Sequence, residues 1–139
     1  MRLVVDASVV AKWFNIEELS NKAVEVKEAF VEGTLELAAP IHIIYEVGNS
    51  IWRNTQLREE DAGEAIASLI RIGLHLLAPD MERARRAMEI ARLKKTTFYD
   101  ATYLQAGEEL KTPLLTADES QMAAGRGLVK TIHLSEVKL

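Results

Sequence analysis

Four carboxylates, Asp6, Glu46, Asp100 and Asp118, are placed where a chain of alternating strands and helices would bring them together. Asp6 ends the first apolar run, Glu46 and Asp100 ride on expected helices, and Asp118 follows the apolar run Pro113 to Thr116. Carboxylates that converge at a sheet edge repel one another and are costly to desolvate, so they are tolerated mainly where hard cations such as Mg²⁺ or Mn²⁺ neutralise them. The chemistry that uses such an oxygen cage is phosphodiester hydrolysis. Competing catalytic sets are missing: His42, His75 and His133 are scattered and read as surface or core residues, and no HExxH, GxGxxG or nucleophile elbow occurs. The absence of cysteine removes disulfides, thiolate zinc sites and Cys nucleophiles, and agrees with a reducing, cytoplasmic setting.

Each acid also has an ordinary local explanation. Asp6 could cap the turn that follows it, and Asp118 could cap a helix start beside Thr116 and Glu119. Glu46 shares a polar helix face with His42, Asn49, Ser50 and Arg53, opposite Ile44, Tyr45, Ile51 and Trp52. Asp100 fits worst, because its helical neighbours are Tyr103, Leu104 and Gly107, whereas the polar face carries Gln105, Glu108 and Glu109. Its side chain is therefore expected to point inward. With no basic residue at the matching spacings, a metal or a buried cap must satisfy it.

Positioning these acids requires a particular order of elements. Strands are expected over Arg2 to Asp6, Leu35 to Ala39, His75 to Ala78, Pro113 to Thr116 and Val129 to His133. Helices are expected over Ala7 to Phe14, Ser20 to Val31, Ile41 to Gln56, Glu59 to Ile72, Asp80 to Lys94 and Phe98 to Leu110. Alternation implies parallel pairing, and right-handed crossovers then lay helices on both faces with all strand carboxyl ends along one edge. Asp6 and Asp118 fall at that edge. Trp13, Phe14, Tyr45 and Trp52 form either core or an exposed apolar groove, with core the expected assignment.

A chain of 139 residues with 48% hydrophobic content suits one domain, 1–139. An acid after three apolar residues spoils Met1 to Asp6 as the apolar core of a signal peptide, and no run reaches membrane-spanning length. The net charge of -4 is unlike that of a general nucleic-acid binder, although two divalent ions would bring it to zero.

Val4-Val5-Asp6-Ala7-Ser8, Tyr45-Glu46-Val47 with Asn49, Tyr99-Asp100-Ala101 with Tyr103, and Leu114-Leu115-Thr116-Ala117-Asp118-Glu119 together resemble the PIN-domain ribonucleases, above all the VapC-type toxins. The resemblance spans essentially the whole chain. It implies a three-layer α/β/α PIN-like fold with a central parallel sheet of four to five strands. It further implies a Mg²⁺- or Mn²⁺-dependent endoribonuclease with one or two ions per site, a VapB-like antitoxin partner and a homodimer. On the matching positions, Asp6, Glu46, Asp100 and Asp118 form the catalytic and metal-binding quartet, while Ser8, Asn49 and Thr116 orient it. Whether Glu119 shares the role of Asp118 stays open. A non-catalytic RNA- or protein-binding module and a housekeeping RNA-processing nuclease are the alternatives. RNA contact is expected of Lys94 and Lys95, at the end of a segment running from Glu82 with net charge +4 by sequence, and of Lys12 and Arg53.

Overall fold

In the computed structural model, which describes residues 1–139, five parallel strands form one sheet in the order β3-β2-β1-β4-β5. These strands are β1 (Arg2–Val5), β2 (Glu36–Pro40), β3 (His75–Leu77), β4 (Leu114–Thr116) and β5 (Thr131–His133). The register pairs Val4 with Ala38 on one side and with Leu114 on the other, so β1 and β4 are central. Buried on both faces, such strands must be apolar throughout: Leu3, Val4, Val5, Leu114 and Leu115 are each at most 1% exposed. Full burial of one such side chain stabilises the fold by about 1.5–3 kcal/mol.

The connections decide the layers. From β1 the chain reaches β2 through α1 (Ala7–Val10) and α2 (Ser20–Val31), and β3 through α3 (Ile43–Arg53) and α4 (Glu59–Ile72). It then reverses direction through α5 (Met81–Lys94) and α6 (Phe98–Leu110) to β4, and through α7 (Glu119–Gly125) to β5. Right-handed crossovers place the first four helices on one face and the last three on the other, giving three α/β/α layers. A single cluster of 29 buried residues runs through both interfaces with the sheet.

Local signals account for most boundaries. Asp80 Oδ1 accepts the Arg83 backbone N–H at 2.8 Å and starts α5, and Gly73, at φ 78°, ends α4 in a conformation that side chains resist. At Gly125 an added Cβ would stand 2.4 Å from Thr131 Cγ2, so only glycine lets α7 lie on β5.

Several expectations need correction. The helix expected over Ala7 to Phe14 is α1 followed by a separate 3-10 turn, Ala11–Trp13, whose tighter winding is closed by Phe14 N–H to Ala11 O at 3.2 Å. Of α7 only the start offered by Asp118 is legible in the sequence, because seven residues give too little periodicity to read its extent. Trp13 is buried and donates to Ala23 O at 2.8 Å, but Tyr45 and Trp52 are 80% and 77% exposed: α3 buries Ile43, Val47 and Ile51 instead. Gln105, expected on a polar face, is buried, with its amide donating to Glu109 Oε1 at 3.0 Å. No helix is long and apolar enough to cross a membrane.

Candidate active site

Strand order reverses between β1 and β4, and open parallel sheets bind ligands in the crevice at that switch point, outside the strand carboxyl ends. Asp6 follows β1 there and Thr116 ends β4. The Asp6 carboxylate is 6% exposed, and its Oδ2 accepts the Thr116 and Ser8 hydroxyls, each at 2.7 Å. Although Asp6 occupies the first position before α1, its side chain makes no capping bond, which removes the capping explanation. Thr116 Oγ1 also accepts the Asp118 N–H at 3.0 Å, and Ser8 Oγ accepts the Ala117 N–H at 2.9 Å. The β4 exit is thereby tied to the β1 exit by two hydroxyls.

Burial is the largest cause holding the Asp6 carboxyl up at about 6, against an ordinary value of 3.8; the charges of Asp100 and Glu46 add to it, and the two hydroxyl bonds oppose it. Asp100 is likewise raised, first by burial and then by Asp118 and Glu46. These repulsions place all four acids in one electrostatic neighbourhood. Asp100 sits in the first turn of α6, where Thr97 Oγ1 accepts its N–H at 3.1 Å and Thr96 Oγ1 donates to its Oδ2 at a long 3.4 Å. Asp118 starts α7, with Oδ1 accepting both the N–H and the hydroxyl of Ser120 at 2.9 and 2.7 Å, so its capping role is real. Glu119 turns instead toward His133, 3.6 Å from its Nε2.

Glu46 is held from two sides by groups that the sequence reading left unassigned. The fully buried Tyr103 hydroxyl donates to Glu46 Oε1 at 2.9 Å, and burial followed by the charges of Glu46 and Asp6 pushes that phenol upward. His42 Nδ1 lies 2.6 Å from the same oxygen but off line for a hydrogen bond; the short separation is therefore a polar contact without a shared proton. His42 Nε2 meets Thr102 Oγ1 at 2.6 Å. Gln121 on α7 donates to Asp100 O at 3.0 Å. A signal for His42 existed in its position four residues before Glu46, and one for Tyr103 three residues after Asp100. Gln121 has none, because the helix that Asp118 starts is too short for its faces to be read.

The remaining expected residues separate. Asn49 is exposed and makes no side-chain bond, unlike Ser8 and Thr116. Lys12 pairs with Glu17 at 3.1 Å, and Lys94 donates to Arg126 O at 2.6 Å. Lys95 and Arg53 are exposed. Within the basic segment, Arg83 and Arg86 are each paired twice with α6, to Glu109 and to Glu108.

Apart from His42 Nδ1 against Glu46, the donors in the crevice are carboxylate and hydroxyl oxygens, the set that suits Mg²⁺ or Mn²⁺. A desolvated, mutually repelling set is relieved by such an ion, and in that sense the residues fit one. No three His, Asp or Glu side chains are set for ligation as they stand, so an ion would be held only if they turned toward it.

The fold and crevice define a three-layer α/β/α protein with an acidic switch-point site. The chain belongs to the PIN-domain family, which matches residues 3–126. It is 35% identical over 126 residues to Ribonuclease VapC3 of Pyrobaculum aerophilum, covering 85% of this chain and 90% of that one. A second relative from the same organism, Exonuclease VapC9, is 27% identical over 95 residues, covering 68% and 71% of the two chains. Among solved structures, PAE2754 from Pyrobaculum aerophilum superposes with a TM-score of 0.68 at 24% identity over 97% of this chain and 90% of that chain. VapBC2 from Rickettsia felis, bound to a promoter DNA fragment, superposes with a TM-score of 0.67 at 9% identity, covering 96% and 98%.

Proposed function

We propose that this chain is one PIN unit acting as a metal-dependent endoribonuclease, the toxin of a type II toxin-antitoxin pair that a VapB-like antitoxin neutralises in the cytoplasm. The observation that carries the reading is Asp6: a buried carboxylate whose partners are two hydroxyls and whose charged neighbours are other acids. Desolvated carboxylates whose charged neighbours are other acids cluster at functional sites, where a cation offsets both costs.

In this reading Asp6 and Asp100 are the direct ligands, and Asp118 and Glu46 complete the set. A bound Mg²⁺ or Mn²⁺, in one or two copies, supplies activated water and neutralises phosphoryl charge. The chain's own residues do the positioning. Ser8 and Thr116 fix Asp6 through Oδ2, Tyr103 fixes Glu46 through Oε1 with the His42 ring packed against the same oxygen, and Asn49 stands exposed one turn beyond Glu46 on α3. Lys95 and Arg53 are the free cations for RNA phosphates, with Lys94 and Lys12 contributing once their present contacts open. The exposed Tyr45 and Trp52 on α3 support a homodimer.

Cleavage of an RNA panel including tRNA and rRNA fragments, with Mg²⁺ or Mn²⁺, beside EDTA and a folded Asp100→Asn variant, tests the proposal. Internal cuts that need metal and vanish in the variant are expected. Products shortened only from one end would replace endonuclease by exonuclease, and no metal-dependent cutting would leave a non-catalytic binding module.

A further inference from the structure

On the β2–β3 side of the same sheet edge lies a cleft of about 150 Å³, floored by Pro40, Leu77, Ala84 and Ala106. We propose that this cleft receives one unstacked nucleobase of the RNA beside the cleaved phosphodiester. The inference rests on the ribonuclease reading above and adds to it the part of the substrate that sets sequence preference.

Size, charge and place support it. An apolar cavity of roughly 150 Å³ accepts a single planar ring such as benzene. The one charged group in the lining, Arg83, is already neutralised by two 2.9 Å bonds to Glu109 and a further 2.8 Å bond to Ala78 O. The cleft therefore offers nothing to a phosphate or to an acidic or basic side chain, and suits a neutral group with apolar faces. The polar groups of the lining are already engaged, His42 Nε2 with Thr102 Oγ1 at 2.6 Å and the Gln105 amide with Glu109 Oε1 at 3.0 Å, so a base would be selected by shape and apolar contact, and Phe98, 39% exposed, provides a ring at the mouth.

The cleft also adjoins the acids. His42 forms its wall, and the same imidazole lies 2.6 Å from Glu46 Oε1, so one ring's width separates the cleft from the acidic crevice. Phe98 and Thr102, one helical turn apart on α6, share the face toward the cleft, while Asp100 between them projects from another face of the same turn. A nucleotide whose phosphate sits at the acids has a base tethered by its own sugar, and the His42 ring is the partition that base would pass to enter the cleft.

The test uses the full-length protein and RNAs with one cleavable site, carrying each of the four bases or an abasic residue at every position next to the cut. Wild type should favour one base at one position by about tenfold or more, and lose that advantage on the abasic RNA. Ala84→Leu, which fills the floor, should reduce the preference to about twofold or less, and Phe98→Ala, which introduces no overpacking, should weaken it in the same direction. Circular dichroism melts confirm that both variants fold. Unchanged preference in both folded variants would overturn the cleft while leaving the ribonuclease intact; a wild type that cuts every base alike would do the same. Dimer loss in Ala84→Leu with preference retained would assign the cleft to a protein contact and overturn the proposal. A wild type that cuts no RNA at all would remove the ribonuclease reading and this inference together.

Discussion

Across the α5–α6 seam, Glu108 and Glu109 each receive a two-pronged guanidinium, from Arg86 at 2.7 and 2.8 Å and from Arg83 at 2.9 Å. At the switch point, Asp6, Glu46, Asp100 and Asp118 have no basic side chain bonded to them, only hydroxyls, backbone N–H groups and an off-line imidazole. The electrostatic consequence is opposite in sign. Arg86 and Arg83 hold Glu108 and Glu109 below the usual carboxylate range, whereas burial and mutual repulsion hold Asp6 and Asp100 above it. The same residue type thus serves adhesion in one place and stores unfavourable energy in the other. Stored electrostatic energy at a ligand-binding edge is a signature of function.

The comparison is broken most directly at Asp6 and Asp100. Asp6→Asn or Asp100→Asn is expected to lower metal-dependent RNA cleavage by more than the roughly 10–100-fold that follows loss of an outer partner of a metal site. For metal-free protein the expectation runs the other way. Since Asp6 rises from 3.8 to about 6 on folding, its ionised form destabilises the fold by on the order of 3 kcal/mol, and Asp6→Asn should recover part of this at pH about 8. Paired rate measurements and urea melts in EDTA would show both. A variant that loses activity and stability together would make Asp6 a structural acid like Glu108.

Next in size is the support of Glu46. Tyr103→Phe keeps the buried ring and removes only the hydroxyl at 2.9 Å, so the fold should persist while the Mn²⁺ concentration for half-maximal rate rises about 10–100-fold. An unchanged Mn²⁺ dependence would separate Glu46 from the metal.

The pH response sharpens the same contrast. A folded carboxyl raised above its unfolded value binds more protons than the unfolded chain between the two, so the contribution of Asp6 is fully favourable below about 3.8 and is lost as pH rises through about 6. Glu108 and Glu109, lowered on folding, contribute stability above their unfolded values that disappears as pH falls through their folded ones. Urea melts of metal-free protein should therefore weaken from pH about 4.5 to 7 in wild type but much less in Asp6→Asn. Added Mn²⁺ should oppose the decline by favouring the ionised form.

Much of this contrast was readable in the sequence, and what was not has physical causes. Asp100 could be aimed inward because α6 is long enough for a helical face to emerge, and Tyr103 and Leu104 on that face are indeed fully buried. Asp6 could be placed at the sheet edge because a short apolar strand leads into it. Tyr45 and Trp52 mislead because aromatic bulk by itself points to the core, while Ile43, Val47 and Ile51, at helical spacing, already supply the buried stripe of α3. Gln105 was misread because a helix packed on two sides, against both α5 and the sheet, has almost no polar face left. Pairing across elements was the least visible: nothing local to Arg83 or Arg86 announces Glu109 or Glu108, which lie 26 and 22 residues away.

Those two arginines give the smallest expected effect and a demanding control. Arg86→Ala removes a bidentate pair whose members are 38% and 34% exposed, so solvent screening limits the loss to about 0.5–1 kcal/mol in spite of good geometry. The change should appear as a modest shift in the urea midpoint, reduced further at high salt. RNA cleavage should not follow it, because Arg86 is bound to α6 on the outer layer and carries no part of the proposed crevice. A fall in cleavage of tenfold or more with the fold intact would mean that the segment from Glu82 to Lys95 acts on RNA after all, and would erase the division between adhesive and functional carboxylates at the point where the structure draws it most clearly.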